Sequence, residues 1–322
     1  MARSASFFVA NAALGPPLFL KHERAPPFFR GVFSFTATRF AGRKARSDRS
    51  PNERAMPSTA PVAIVVGASG GIGAATVRAF LAAGYVVVGA APDDALLGDL
   101  RAQLAAAGER GLVVATDIRR RPEVDRLIAE TLVRFERIDV LANVAGIGAT
   151  PSLLDTSDDE IERIIAVNLT GAARTMHAVL PVMQAQRRGA IVNVGSIAGE
   201  AGVMGVYSGS KFGLRGLTDS VRREAKPYGI GVTLIEPGFV ATQMNKSMSG
   251  LPGPEIVADA IVAAVSRPRR VVIVPRRYRL AIFAFNLAPW FTDLVFGNGW
   301  VQERLNRDAR AERAAERANE NP

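Results

Sequence analysis

Short apolar runs rich in β-branched residues alternate along the chain with longer stretches whose apolar positions recur at helical spacing. Val62–Val66 predicts a first strand and Ala74–Ala83 a helix that stops at Gly84. Tyr85–Gly89 predicts the second strand, Ala95–Ala107 a helix, and Leu112–Ala115 the third strand. Pro122–Arg134 is an amphipathic helix with Val124, Leu127, Ile128 and Leu132 on its apolar side. Val140–Val144 is the fourth strand, followed by a helix from about Ser157 to Ala173 and another through Gln184. Ala190–Val194, Gly231–Ile235 and Arg270–Val274 complete seven strands, with a helix at Tyr207–Ala225. Strands that are apolar throughout, alternating with helices, imply an α/β fold with a parallel sheet covered on both faces. No repeat of 20–50 residues is visible.

The first strand breaks directly into glycines: VAIVVGASGGIG, residues 62–73, with Gly67, Gly71 and Gly73 spaced G-x-x-x-G-x-G. Glycines at a strand–helix turn let backbone approach a diphosphate, and the helix N-terminus favours its negative charge. A dinucleotide site is one reading, and a glycine-rich turn without a ligand is the other.

Composition narrows the choices. With no cysteine there is no disulfide, thiolate metal site or cysteine nucleophile, and two histidines, His22 and His177, exclude a multi-histidine metal site. The net charge of +10 is uneven, since residues 1–55 contribute +7 of it. The body is therefore only mildly basic, and no nucleic-acid partner is expected. Residues 1–57 differ from the rest: Arg-, Ser- and Phe-rich, poor in acids and without a strong period. They read as a disordered extension, either an upstream mis-start ahead of Met56 or a targeting segment.

The candidate chemistry lies further on. Tyr207 and Lys211 are one helical turn apart and share a face. A neighbouring ammonium favours phenolate and brings a tyrosine toward a working pKa. Ser196, just after the fifth strand, can donate to a substrate oxygen, and Asn168 in the long helix can hold a water beside the lysine. Taken alone, Tyr-x-x-x-Lys is a common surface pair; the joint order of glycine turn, Asn, Ser and Tyr-x-x-x-Lys is far more specific.

From about Ala60 to Val274 the chain resembles the short-chain dehydrogenase/reductase family in its ~250-residue form, by VGASGGIG (66–73), Asp117, ANVAG (142–146), Asn168, GSIAG (195–199), YSGSK (207–211) and PGFVAT (237–242). The resemblance implies a Rossmann-type, doubly wound, seven-stranded parallel sheet in three α/β/α layers, a nicotinamide cofactor and reversible alcohol–carbonyl hydride transfer. It implies Tyr207 as acid/base, Lys211 as the group that lowers its pKa and holds the nicotinamide ribose, Ser196 as the orienter of the substrate oxygen, and Asn168 as support for a proton relay through water. Gly67, Ser69, Gly71, Ile72 and Gly73 would surround the diphosphate. Asp117 and Ile118 would meet the adenine, and Asn143, Ala145 and Gly146 would lie beside the cofactor. Pro237, Gly238, Val240 and Thr242 would flank the carboxamide.

Some positions depart from the family pattern. Val66 and Val144 replace a Thr and an Asn, and the loop from Ser196 to Tyr207 is about two residues short. Gly209, Gly213 and Gly216 interrupt the catalytic helix, by close approach to a neighbour or by plain packing. An acid at the end of the second strand would select NAD(H), but Ala90 and Ala91 stand there and Asp93 comes late. The missing acid tilts the choice toward NADP(H) over NAD(H). Ile197, Met204, Phe239, Met244 and Met248 are candidate pocket residues. They suit a small hydrophobic ketone, aldehyde or secondary alcohol.

Two other classes remain to weigh. Gly67-x-Ser69-x-Gly71 matches a serine-hydrolase elbow, but His177 sits mid-chain in a predicted helix, and Tyr207, Lys211 and Asn168 would be left without a role. A non-catalytic NAD(P)-binding regulator or scaffold would not need the Asn168, Ser196, Tyr207 and Lys211 set. The catalytic domain is placed at 58–275. Residues 276–301 form an apolar helical extension in which Arg276, Arg277 and Arg279 precede Phe283, Phe285, Trp290 and Phe291. Either 279–300 lies on a membrane surface, or the segment packs on the core, closes the pocket or joins subunits. Residues 302–322 read as a charged tail. A cytoplasmic homo-oligomer is expected, with or without peripheral membrane contact.

Overall fold

The computed structural model describes residues 60–92, 97–148, 152–242, 248–301, 303 and 307. The N-terminal extension, Asp93, Met244 and nearly all of the charged tail therefore lie outside the described residues.

Seven parallel strands form one sheet in the order β3-β2-β1-β4-β5-β6-β7. They are β1 (Val62–Val66), β2 (Val86–Ala91), β3 (Gly111–Ala115), β4 (Val140–Asn143), β5 (Gly189–Val194), β6 (Ile230–Pro237) and β7 (Val271–Val274). The helices between them are α1 (Gly71–Ala82), α2 (Leu97–Ala105), α3 (Arg121–Phe135), α4 (Asp158–Ile165), α5 (Ala172–Gln186), α6 (Ala198–Ala201), α7 (Gly205–Ala225) and α8 (Glu255–Ser266). Two more, α9 (Tyr278–Leu287) and α10 (Pro289–Phe296), follow β7.

Strand β1 shows why these runs are apolar without alternation. Val62, Ile64 and Val66 enter a core that also holds Leu127, Met176 and Leu214, from α3, α5 and α7. Ala63 and Val65 enter the opposite core with Phe80, Leu100 and Ile261, from α1, α2 and α8. Neighbouring residues thus face different helical layers, and a strand buried on both sides has no polar position to spare.

The topology also locates a crevice. β1 pairs with both β2 and β4, so the chain winds outward through β2 and β3, then returns to β4 and winds the other way. Connections leave the C-terminal ends of β1 and β4 in opposite directions, which opens the sheet edge where ligands of such folds bind.

Two boundaries differ from the sequence pattern in an informative way. β6 runs on to Pro237, which pairs with Val274 although it has no N–H to give. The helices expected around residues 157–184 are joined through a π-helical turn at Ala166–Gly171, with helical backbone at both junctions. Asn168 and Gly171 are the buried residues of that turn.

Candidate functional site

The glycine turn is fixed by backbone contacts. Gly67 has φ +80°, and its N–H donates to the Ala90 carbonyl at 2.8 Å. A Cβ at Gly67 would stand 2.6 Å from the Ala145 backbone, and one at Gly73 would stand 1.9 Å from the Gly67 carbonyl oxygen. Only glycine fits either place. α1 then starts at Gly71 with no side-chain cap at Gly70, so its first N–H groups are not satisfied by a capping side chain. Thr242 comes back over this end: its Cγ2 would lie 3.4 Å from a Cβ at Gly71. The turn therefore brings residues 67–73, 145 and 242 together, with half-buried Ser69 and Ile72 on it.

A second group sits at the ends of β4 and β5. Lys211 is 4% exposed, and its Nζ donates to the Val194 carbonyl at 3.0 Å, at the end of β5. That uses one of three ammonium donors. A side chain on Gly146 would begin 3.1 Å from Lys211 Nζ and 3.4 Å from Asn168 Oδ1, so Gly146 holds open a polar space between them. Burial lowers the Lys211 pKa to about 8. Tyr207 is buried one turn earlier on the same helix, with Lys211 Nζ 5.7 Å from its ring centroid, and the Ser196 side chain is near enough to its hydroxyl to favour phenolate. Burial pushes the Tyr207 phenol up and Ser196 pulls it partly back. This net direction is opposite to the one the resemblance implies for Tyr207, because desolvation penalises phenolate more than Ser196 favours it.

Asn168 is placed by the π-helical turn, and both hydrogens of its amide are engaged while Oδ1 keeps one acceptor site. Oδ1 accepts from Ile147 N at 2.9 Å, and Nδ2 donates to Ile147 O and Ser210 Oγ, both at 3.0 Å. Ser210 in turn donates to the Tyr207 carbonyl at 2.7 Å. Asn168 thus braces the segment after β4 against the Tyr207 helix.

Other candidate residues are spread around this frame. Asn143 is buried and ties to Asn193 and Thr175, at 2.9 and 2.7 Å. Ile118 and Val240 turn their side chains into the two cores, leaving mainly backbone to offer a ligand. Asp117 is held well below the usual carboxylate range, chiefly by its hydrogen bonds to Arg119. Gly238 lies under the Tyr278 ring of α9, where a Cβ would be 2.2 Å from a ring carbon. Pro237 is buried at the end of β6. Ile197 and Met204 are half-buried, and Phe239 and Met248 are exposed. For the hydrolase reading, His177 contacts Arg121, 3.0 Å away on α3, and not Ser69.

Ser210 and Asn193 belong to this frame although the spacing of motifs does not single them out. The available signal is a polar residue in an otherwise apolar strand: Asn193 is fully buried in β5 and donates to Thr218 Oγ1 at 2.9 Å. Taken together, an uncapped helix N-terminus, backbone that only glycine permits, and a buried ammonium with donors left over fit a nicotinamide dinucleotide.

Comparison with known proteins decides the family. The family model for short chain dehydrogenases matches residues 61–250. The chain belongs to this family. This short-chain dehydrogenase is an NAD(P)-dependent oxidoreductase, and relatives act on carbonyl or alcohol groups. It is 39% identical over 197 residues to a 3-oxoacyl-[acyl-carrier-protein] reductase of Synechocystis, covering 60% of this chain and 80% of that one. A short-chain dehydrogenase structure from Streptomyces avermitilis matches with TM-score 0.65 at 26% identity, covering 74% of this chain and 96% of the other. An actinorhodin polyketide ketoreductase variant, solved with NADPH, matches with TM-score 0.62 at 27% identity, covering 69% and 97%.

Proposed function

We propose that this dehydrogenase interconverts a hydrophobic secondary alcohol and its ketone, or the corresponding aldehyde, with Tyr207 as the acid/base. The observation that carries the reading is the convergence of Tyr207, Ser196 and Lys211 at the end of β5. A nicotinamide dinucleotide held by the Gly67–Gly73 turn and Lys211 would supply the hydride chemistry. The rest falls to the chain's own residues. The Ser196 and Tyr207 hydroxyls are neighbours, so a carbonyl oxygen seated between them receives a donor from each and is oriented. In reduction, Tyr207 gives its proton to that oxygen; in oxidation it takes the proton back. Lys211, with donors left after Val194, holds ribose hydroxyls and supplies positive charge near the phenol as phenolate forms. The Gly67–Gly73 turn and the α1 N-terminus hold the diphosphate. Asn168 keeps the segment after β4 and the Tyr207 helix in register, and a water beside it and Lys211 relays the proton outward.

For the cofactor, NADP(H) is favoured over NAD(H). β2 ends in the buried Ala90 and Ala91, so among the described residues there no carboxylate is offered to take a ribose 2′-hydroxyl or repel a 2′-phosphate. The candidate pocket residues Ile197, Met204 and Phe239 are apolar, which supports a hydrophobic substrate; the named activity of the Synechocystis relative, on a 3-oxoacyl group, is of the same chemical kind.

Steady-state rates with both cofactors over a panel of ketones and alcohols test this. The Tyr207→Phe variant should lose about 10²- to 10⁴-fold in kcat while still binding cofactor. An unchanged rate would refute Tyr207 as the acid/base. Cofactor binding by the native chain without turnover of any panel member would favour a regulator or scaffold instead.

A further inference from the structure

Half of the large hydrophobic side chains that stand exposed among the described residues fall between positions 280 and 300. On α9 they are Leu280, Phe283 and Leu287, spaced i, i+3, i+7, and on α10 Trp290 and Leu294, spaced i, i+4. Leu280 is 81% exposed and the other four 66–73%. The helix is nevertheless anchored. Tyr278, Ile282 and Asn286, spaced i, i+4, i+8, form its opposite side: Tyr278 lies over Gly238, Ile282 is buried, and Asn286 donates to Glu200 Oε2 at 3.2 Å. α10 is joined to α9 by an edge-to-face contact of Phe285 with Phe296. One side of α9 holds the protein and the other is a bare apolar face.

That face has a cationic border. Arg276, Arg277 and Arg279 are exposed just before it, and among the described residues none of the three meets a carboxylate. Arg267 and Arg269 line the adjoining groove under α9. Asp293 is the exposed acid on α10, and Glu200 is already paired with Arg215.

We infer that α9 and α10 dock this enzyme on an anionic lipid surface, lying in the plane of the interface. Charge complementarity selects this occupant: arginines beside an apolar, tryptophan-bearing face match phosphate headgroups over acyl chains. Among the described residues no helix is long and apolar enough to cross a membrane, so the contact is peripheral. The same helix covers Gly238, beside the exposed Phe239, and binds Glu200 of α6, which follows Ser196. A hydrophobic substrate would then enter from the lipid phase; that last point rests on the proposed reaction, whereas the docking surface does not.

Both tryptophans of the chain, Trp290 and Trp300, lie within 280–300, so tryptophan emission, excited at a wavelength tyrosine does not absorb, reports on this region. The full chain is mixed with vesicles of phosphatidylcholine, or of phosphatidylcholine with phosphatidylserine, then sedimented, and its emission recorded. Expected are co-sedimentation and a shift to shorter wavelength with the anionic vesicles, both lost at high salt. The triple variant R276Q/R277Q/R279Q should bind roughly a hundredfold more weakly. L280D/F283D/L287D should not bind, while turnover of a water-soluble substrate is kept. No sedimentation and unchanged emission with either vesicle would overturn the inference, as would equal binding to both. So would a lipid-independent shift that grows with protein concentration as the mass doubles, which would assign the face to a second copy. None of these readouts needs the proposed reaction to be correct.

Discussion

Lys211 and Arg215 stand on consecutive turns of α7, yet the fold treats the two cations in opposite ways. Arg215 is wedged between two carboxylates, Glu200 on α6 and Glu236 on β6. Lys211 is the more deeply buried and has a single carbonyl partner among the described residues. A cation in low dielectric is costly unless matched, and the matched one is structural. The unmatched one stays poised: its charge is available to whatever enters the space by Gly146. The contrast separates scaffold from chemistry on a single helix.

Removing the matched cation should destabilise the fold. Arg215→Met strands two buried carboxylates, and Glu236 Oε2 already lacks a partner among the described residues. The expected loss is about 3 kcal/mol, at the low end for a broken buried pair because Arg215 keeps some solvent contact. Burial raises the Glu236 pKa, so its native state binds the proton more tightly than the unfolded chain does. The variant should therefore regain stability as pH falls through that raised pKa, as urea melts at pH 7 and at acid pH would reveal.

Removing the unmatched cation should do the reverse. Lys211 titrates near 8 in the fold against 10.5 in the unfolded chain. Between those values the unfolded chain holds the extra proton, so native stability rises with pH across that window. Lys211→Met lacks this term. It should be more stable than the native protein at pH 7 by on the order of 3 kcal/mol, with the gap closing toward pH 10.5. A gap that did not change with pH would mean that Lys211 is better solvated than its burial implies.

The glycines of the same helix sharpen the comparison at the smallest scale. Gly209 and Gly216 have open space where a Cβ would go, whereas one on Gly213 would stand 2.9 Å from Leu169 Cδ2, in the π-helical turn. Gly216→Ala should stabilise by about 0.5–1 kcal/mol, and Gly213→Ala should forfeit that gain. Thermal melts of the two variants side by side would show the difference.

Much of this fold is legible from runs of residues. Val62, Ile64 and Val66 alternate with Ala63 and Val65 between two cores, and a strand buried on both faces leaves an unbroken apolar signature. The order of β1, its glycine turn and α1 is equally local, since Gly73 is required by the carbonyl of Gly67 in the same turn. The direction of the Tyr207 pKa was not legible. A nearby ammonium argues for a lowered value, but desolvation, which depends on what covers the phenol, prevails.

Sequence alone was sufficient for the α/β class, the parallel strands, the glycine turn and the pairing of Tyr207 with Lys211 on one helix face, because each depends on neighbours within a turn or a strand. Tertiary structure alone decided the rest. It joined Asn168 to Ile147 and Ser210, gave Lys211 a carbonyl and no carboxylate among the described residues while giving Arg215 two, and turned one side of α9 onto Gly238 and the other to solvent. Those outcomes depend on groups far apart in the chain, and burial and charge pairing are set only when such groups meet.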